Sequence, residues 1–150
     1  MINFDTYHIG AMYAPFCRTK AFPKEQWAAD FQNMEGLGFS LIHGFAEWFR
    51  IEVAEGEYDF SDMDYLVELC QKHKIKLFIN VATHAGYGFY APSWLMKNYQ
   101  IQNILGPKYE MIGNEASPFG LPCVDDPVYR QKAENYFRVL GKRYATSEAS

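Results

Sequence analysis

Short apolar runs alternate with amphipathic segments along this chain, and that alternation limits the fold more than any other feature. The runs predict three strands, at residues 7–12, 39–43 and 75–81. Between them, apolar residues recur at the spacing of one helical face: Trp27, Phe31 and Met34 in the first segment, and Tyr65, Leu66, Leu69 and Cys70 in the second. Strands that alternate with helices favour a parallel sheet covered by those helices.

Turn and cap signals predict where these segments end. We expect the first helix to begin at Pro23 and to stop at Gly36 and Gly38. Glu55-Gly56 lies at the centre of a predicted turn, and Ser61 is the expected N-cap of the second helix.

The second half of the chain adds two helices separated by an irregular stretch. Pro92 opens a short helix, and residues 101–126, rich in Gly and Pro, are expected to be irregular. A last helix is predicted from Pro127 to about Tyr144, capped by Asp125-Asp126. Its predicted apolar side consists of Tyr129, Ala133, Tyr136, Phe137 and Leu140.

The length limits how much of a parallel α/β fold the chain can contain. A closed (β/α)8 barrel takes about 250 residues, whereas this chain has 150. No linker or repeat divides it, so we expect residues 1–150 to form one partial barrel domain. The predicted fold class is α/β, the N-terminal part of a (β/α)8 TIM barrel with about three βα units, truncated before strand four.

Composition and motifs argue against several classes of function. The formal net charge is −4, which disfavours nucleic acid and anionic membranes as partners. Neither a transmembrane segment nor a signal peptide is visible. The three cysteines, Cys17, Cys70 and Cys123, are too widely spaced for a disulfide framework or a metal site. No nucleotide-binding loop or nucleophile elbow occurs. We therefore expect a cytoplasmic protein with no cofactor and no metal.

The loops after the predicted strands carry the residues best suited to bind a ligand, since ligands of parallel α/β folds meet the carboxyl ends of the strands. These residues are Tyr13, Phe16 and Arg18 after the first strand, Glu47, Trp48 and Arg50 after the second, and His84, Tyr87, Tyr90 and Trp94 after the third. Aromatic faces that stack on sugar C–H groups, beside polar groups that bind hydroxyls, would form such a set. Alternatively, the aromatic side chains anchor the loops on the barrel rim.

Four of these residues are predicted to face a substrate: Glu47, Trp48, His84 and Tyr87. Glu47 is either a catalytic carboxylate or an ion-pair partner of Arg18 or Arg50, and the neighbouring cations favour pairing. His43, at the end of an apolar strand, is expected to be a buried and hydrogen-bonded histidine.

One segment carries a family resemblance. The run from Trp48 to Ser61 (WFRIEVAEGEYDFS), followed by Met63-Asp64, resembles the W-S-R-x-E-P-x-E-G-x-Y-D-F-x-x-L-D segment of family 42 β-galactosidases. Further stretches are similar to family elements: residues 10–13, 23–34, 41–44, 73–78, 91–95 and 123–130. The resemblance therefore extends over nearly the whole chain.

The resemblance implies a retaining glycoside hydrolase barrel that acts on terminal β-galactosides. Such enzymes use two glutamates roughly 5 Å apart, one as acid/base and one as nucleophile. In the family they follow strands four and seven, which by this register lie beyond Ser150. The resemblance thus implies that these 150 residues contain no catalytic residue and are inactive alone. Asn114-Glu115 is similar to the family's acid/base dipeptide but follows no apolar strand, so it is not predicted to be catalytic.

The chain also departs from the family pattern. Phe45-Ala46-Glu47-Trp48 stands where family members have Glu-Phe-Ala-Trp, Val53 replaces the usual Pro, and Phe119 stands where an Arg often contacts the sugar. Membership in a related family that acts on another β-glycoside therefore stays open as an alternative. Some members bind a structural zinc through a cysteine at the position of Cys123, but the other ligands would lie outside this chain, so no zinc is predicted.

The predicted role is one wall of a carbohydrate cleft in a glycosidase, with a β-galactoside or related β-glycoside as ligand. Two alternatives stay open. One is a non-catalytic carbohydrate-binding remnant. The other is a half-barrel that self-associates, because its apolar sheet edge can pair with another chain to form a homo-oligomer.

Overall fold

A computed structural model of the chain describes residues 7–15, 22–84, 90–110 and 120–145. In chain order its elements are β1 (Gly10–Met12), α1 (Lys24–Gly36), β2 (Leu41–Glu47), α2 (Trp48–Ile51), β3 (Glu52–Ala54), β4 (Glu57–Tyr58), α3 (Ser61–Lys72), β5 (Lys76–Ala82), α4 (Ser93–Asn98) and α5 (Pro127–Tyr144). The predicted alternation of strands and helices is confirmed.

The main sheet has three strands in the order β1-β2-β5. β1 and β2 are parallel, with Gly10 opposite Leu41 and Met12 opposite His43. The first residue of β5, Lys76, donates its backbone N–H to the carbonyl of Ser40, just before β2, at 2.9 Å. The strands β2 and β5 therefore begin at the same end of the sheet. β3 and β4 form a separate antiparallel hairpin, whose turn contains Gly56 at φ 77°, as the predicted turn requires.

The described residues fall into two compact units. The first comprises the described parts of Met1–Phe45, Phe60–Asn80 and Tyr144–Ser150, and the second those of Ala46–Asp59 and Val81–Arg143. The first unit contains α1, α3 and most of the main sheet. The second contains the hairpin, α4 and nearly all of α5.

In the first unit, β2 packs closely on α3. A Cβ atom on Gly44 would lie 3.0 Å from side-chain carbons of both Leu66 and Leu77, so the missing side chain is what permits this approach. Successive strand residues point to opposite faces. The opposite face of β2 therefore carries His43. The His43 ring contacts Phe45 at 4.8 Å and Phe78 at 5.3 Å between centroids.

The core of the second unit is an aromatic cluster around Trp48. Its indole stacks on Tyr136 at 5.6 Å and meets Trp94 and Tyr129 edge-on at 6.2 and 5.9 Å. The Tyr136 hydroxyl donates to the carbonyl of Ala46 at 3.1 Å. This bond joins the end of β2 to α5, because Ala46 is the second-to-last residue of β2.

Several predicted details are wrong. β1 begins at Gly10, and β2 continues past His43 to Glu47. Phe60 occupies the N-cap of α3 and Ser61 is its first residue. The ring of His43 is only half-buried, and its Nε2 atom has no hydrogen-bond partner among the described residues.

Phe137 also differs from the prediction that placed it on the buried side of α5. The buried residues of this helix are Tyr129, Ala133, Tyr136, Leu140 and Tyr144. Phe137 lies about 100° around the helix axis from Tyr136, and 47% of its surface is exposed. The apolar pattern of α5 is therefore wider than the face that the described residues cover.

Candidate functional site

An ion pair between a buried carboxylate and a half-exposed arginine lies at the carboxyl end of β2. Glu47 ends the strand and Arg50 lies in α2, which starts immediately, so the two side chains are three residues apart on one side of the turn. Arg50 Nε lies 2.8 Å from Glu47 Oε2, and the two side chains are 32% and 8% exposed. The predicted pairing of Glu47 with Arg50 is confirmed, and Arg18 lies outside the described residues.

Aromatic rings flank this pair. Phe49 and Tyr90 stack at 6.5 Å between centroids, and the backbone N–H of Phe49 donates to the carbonyl of Tyr90 at 2.9 Å. The Arg50 guanidinium lies 5.7 Å from the centroid of the Phe49 ring. A half-exposed cation, a carboxylate and two stacked rings thus occur together at this strand end.

Trp48 lies beneath the surface, with no exposed area. Its indole N–H donates to Glu52 Oε2 at 2.5 Å, and its ring faces are covered by the aromatic cluster. In this structure Trp48 supports the residues on either side of it, and its ring is not accessible to a ligand.

Glu52 organises the segment that follows, and sequence reasoning did not single it out. Its buried carboxylate accepts hydrogen bonds from the Trp48 indole and, at 2.9 Å, from the backbone N–H of Gly56. Its carbonyl accepts the Trp94 indole N–H at 3.1 Å. Burial, followed by the charge and hydrogen bond of Glu52, raises the pKa of Tyr58. The E-x-x-x-G-x-Y spacing of residues 52–58 was the signal that could have identified this role.

His84 follows β5 and holds a neighbouring loop. Its Nε2 atom lies 3.0 Å from the carbonyl of Pro122, so this nitrogen carries the proton and donates. The ring meets Tyr129 edge-on at 6.2 Å. His84 lines an open groove of about 450 Å³ together with Thr83, Val124, Tyr129, Arg130, Ala133, Glu134 and Phe137.

Tyr13, after β1, belongs to the first unit. Its hydroxyl donates to Asp30 Oδ2 at 3.0 Å, and Gln26 donates to the other oxygen at 2.7 Å. Burial, together with the Asp30 carboxylate, raises the pKa of Tyr13 well above its usual range. This contact ties the end of β1 to α1.

The remaining candidates are placed as follows. Trp94 is buried in the aromatic cluster, whereas Phe16, Tyr87 and Asn114-Glu115 lie outside the described residues. Across the described ranges, no group of three or more His, Cys, Asp or Glu side chains could hold a metal ion. No helix in those ranges is long and apolar enough to cross a membrane.

Parallel strands followed by helices, with polar and aromatic side chains at their carboxyl ends, define the class as part of a (β/α)8 barrel. The family model described as Glyco_hydro_42, Beta-galactosidase, matches residues 13–149. The chain therefore belongs to the family 42 β-galactosidases, as its sequence pattern predicted.

Individual relatives agree with this family. The β-galactosidase BgaH of Haloferax lucentense is 27% identical over 91% of this chain and 19% of its own length. BgaA of Clostridium cellulovorans is 26% identical over 94% of the chain and 20% of its own length. The β-galactosidase structure from Marinomonas ef1 superposes with a TM-score of 0.78 at 20% identity, covering 95% of this chain and 20% of that one. The chain thus spans about a fifth of the length of the relatives it matches.

Proposed function

We propose that the chain supplies the first βα units of a β-galactosidase barrel and one wall of its sugar-binding cleft. The observation that carries this proposal is the buried Glu47 carboxylate, paired with the half-exposed Arg50 at the carboxyl end of β2. Ligands of such barrels bind at this end of the strands. Arg50 can donate to sugar hydroxyls, and the stacked rings of Phe49 and Tyr90 offer an apolar face for sugar C–H groups.

The predicted site residues have different roles in this proposal. Glu47 and Arg50 act on the sugar as a pair. Trp48 supports them through the aromatic cluster, since its ring is fully buried. His84 and Tyr87 are proposed to extend the wall after β5. For His84, the second ring nitrogen is the group that would meet a hydroxyl, because Nε2 already bonds Pro122.

We further propose that the 150 residues do not cleave glycosides alone. Retaining hydrolysis needs two carboxylates roughly 5 Å apart on either side of the scissile bond. Glu47 is held by Arg50 at 2.8 Å, so it suits binding better than proton transfer. The two catalytic glutamates are expected in the parts of the barrel that follow this segment.

A chimera tests the proposal. The segment of the C. cellulovorans β-galactosidase that this chain matches, 20% of that enzyme, is replaced by residues 1–150. We expect the chimera to hydrolyse 4-nitrophenyl β-D-galactoside and the isolated chain to show no turnover above the blank. Turnover by the isolated chain would contradict the assignment, as would a folded chimera with no activity.

A matched pair of substitutions tests the cleft wall. In the chimera, Glu47→Gln removes the charge that pairs with Arg50, and we expect kcat/KM to fall about 10- to 100-fold, the usual effect of losing a close contact between charged groups. Glu57→Gln, at an exposed carboxylate of the hairpin, should leave kcat/KM within about twofold. Equal values for both variants, with unchanged circular dichroism, would exclude Glu47 from the cleft.

A further inference from the structure

A tight loop at residues 106–110 holds a tyrosine in a backbone conformation that its side chain disfavours. The Tyr109 N–H donates to the Gly106 carbonyl at 2.9 Å, and the Gly106 N–H donates to the Glu110 carbonyl at 2.8 Å. Tyr109 has φ 60°, and hairpin loops of this length usually carry glycine at that left-handed position. Packing does not compensate for the strain, because Tyr109 is 85% exposed.

Side-chain contacts keep this loop in shape. The Glu110 Oε2 atom accepts the backbone N–H of Lys108 at 2.8 Å. The Glu110 Oε1 atom lies so close to Gly106 that a side chain at position 106 would collide with it. Pro107 fixes its own φ at about −65°. The backbone that carries Tyr109 is therefore already ordered, which lowers the entropy cost of binding a ligand there.

The loop extends from a ribbon that is anchored at the carboxyl end of β5. Residues 102–104 pair with residues 121–123 in this antiparallel ribbon. His84, which follows β5, bonds the Pro122 carbonyl at 3.0 Å. Because β2 and β5 begin at the same end of the sheet, their carboxyl ends also lie together. The ribbon is thus anchored at the end of the sheet where Glu47 lies.

We propose that Tyr109 is a stacking platform for the sugar ring on the leaving-group side of the cleaved bond, so that its loop sets a preference for disaccharides. This inference rests on the proposed function, since it adds a second ring-binding position to the same cleft. A terminal β-galactoside carries further sugar only on its leaving-group side. The Tyr109 ring can pack on sugar C–H groups, and the exposed Lys108 next to it can donate to hydroxyl oxygens.

The size of the exposed apolar surface favours a sugar over a protein partner. A stable protein interface buries about 800 Å² on each side and contains several packed anchors. Within residues 105–110, only Leu105 and Tyr109 are large apolar side chains with substantial exposure. One projecting aromatic ring matches one pyranose ring.

The test compares two substrates in the chimera that contains residues 1–150. Methyl β-D-galactoside has one sugar ring, whereas β-1,4-galactobiose has a second ring on the leaving-group side. We expect Tyr109→Gly to lower kcat/KM for galactobiose about 5- to 10-fold, mainly through KM, and to leave kcat/KM for the methyl galactoside within about twofold. Glycine is the residue that this loop favours, so the substitution removes the ring and keeps the loop.

Two control variants separate the ring from other effects. Tyr109→Phe keeps the aromatic face and should retain kcat/KM for galactobiose within about twofold. Tyr7 is a fully exposed tyrosine of the first unit, so Tyr7→Gly makes the same chemical change outside the unit that contains the loop. It should leave kcat/KM for both substrates within about twofold.

A second measurement does not depend on hydrolysis. Galactobiose is titrated into the 150-residue chain while the NMR signals of the Tyr109 ring, assigned by their loss in Tyr109→Phe, are recorded. We expect these signals to shift in the wild type, and the affinity for galactobiose to fall about 5- to 10-fold in Tyr109→Gly.

Four outcomes would overturn the proposal: an equal loss for both substrates, no loss for galactobiose, no recovery in Tyr109→Phe, or Tyr109 signals that do not shift. An oligomer that Tyr109→Gly dissociates in analytical ultracentrifugation would also overturn it, because a second copy would then be the occupant. If the chimera is inactive but the Tyr109 signals shift, the proposed function fails and the stacking platform stands. If the chimera is active and Tyr109→Gly changes nothing, the reverse holds.

Discussion

At the scale of single residues, Glu52 contributes more to stability than its surface neighbours, because its carboxylate is buried and is shared by two hydrogen-bond donors. It accepts hydrogen bonds from the Trp48 indole and the Gly56 backbone, and its carbonyl accepts from Trp94. A buried donor that loses its acceptor bears the full cost of desolvation. The short helix α2, the hairpin and α4 are therefore linked through this one residue.

We predict that Glu52→Ala lowers the free energy of unfolding by about 2–4 kcal/mol, because it strands the buried Trp48 indole N–H, removes the acceptor of the Gly56 N–H and takes away a packed side chain. Glu52→Gln should cost less, because the amide keeps one acceptor oxygen of the same shape. Urea unfolding followed by tryptophan fluorescence measures both values.

The control for Glu52 is Glu57→Ala, at an exposed position of the same hairpin. It should change the free energy of unfolding by less than about 0.5 kcal/mol. Similar losses at positions 52 and 57 would show that the carboxylate of Glu52 does not link these elements.

At the scale of elements, α5 is stabilised by its cap. Asp126 Oδ1 accepts the backbone N–H groups of Val128 and Tyr129 at 2.9 and 3.0 Å, and Oδ2 accepts that of Gln102 at 3.0 Å. One carboxylate thus begins the helix and anchors the irregular stretch before it. These bonds, led by those from Gln102 and Tyr129, lower the pKa of Asp126.

The lowered pKa predicts how stability depends on pH. The folded state binds the Asp126 proton less tightly than the unfolded chain, so the stabilisation is present above the unfolded pKa of about 3.9. It is lost as the pH falls towards the folded pKa. In urea unfolding below about pH 4, the wild type should therefore lose more stability than Asp126→Asn, which does not titrate.

At neutral pH, Asp126→Ala should cost about 1–2 kcal/mol, the usual cost of losing an N-cap. Asp125→Ala, at the exposed neighbouring position, should cost less than about 0.5 kcal/mol. Equal effects of the two substitutions, or a pH dependence shared by Asp126→Asn, would contradict the capping role.

Local signals explain which elements could be predicted. α5 has the predicted bounds and the predicted cap at Asp126, because helical spacing and an aspartate before a proline are features of adjacent residues. The extension of β2 through Gly44 could not be predicted, because glycine weakens isolated strands. Here the absence of a side chain at Gly44 lets Leu66 and Leu77, which are distant in sequence, approach the strand closely.

The candidate site likewise has one part that the local sequence predicts and one part that depends on distant elements. The pairing of Glu47 with Arg50 is encoded within one turn of chain and was predicted. The burial of Trp48 depends on Trp94, Tyr129 and Tyr136, which come from α4 and α5. An aromatic residue at a strand end can face a ligand or a core, and only the packing of distant elements decides between them.

At the scale of the whole molecule, the chain belongs to a family whose members are about five times longer. This relation gives a reason for the apolar side chains that are exposed on the described sheet. In the first unit, Phe78 is 57% exposed while its neighbour Leu77 is 5% exposed, because successive residues of β5 point to opposite faces. Met12 of β1 is also largely exposed. In a complete barrel, side chains on the inner face of the strands form a packed core.

This contrast predicts how the isolated chain responds to truncating each side chain. Leu77→Ala should lower the free energy of unfolding by about 2–5 kcal/mol, because it opens a cavity against α3. Phe78→Ala should cost less, about 1 kcal/mol in the 150-residue chain, because more than half of the Phe78 surface is already exposed. Urea unfolding at two protein concentrations tenfold apart measures both values.

If the chain self-associates through this face, stability will rise with concentration and Phe78→Ala will remove that rise. A cost for Phe78→Ala equal to that of Leu77→Ala at both concentrations would mean that the face is already covered within one chain, and would contradict its assignment as an open inner face of a barrel.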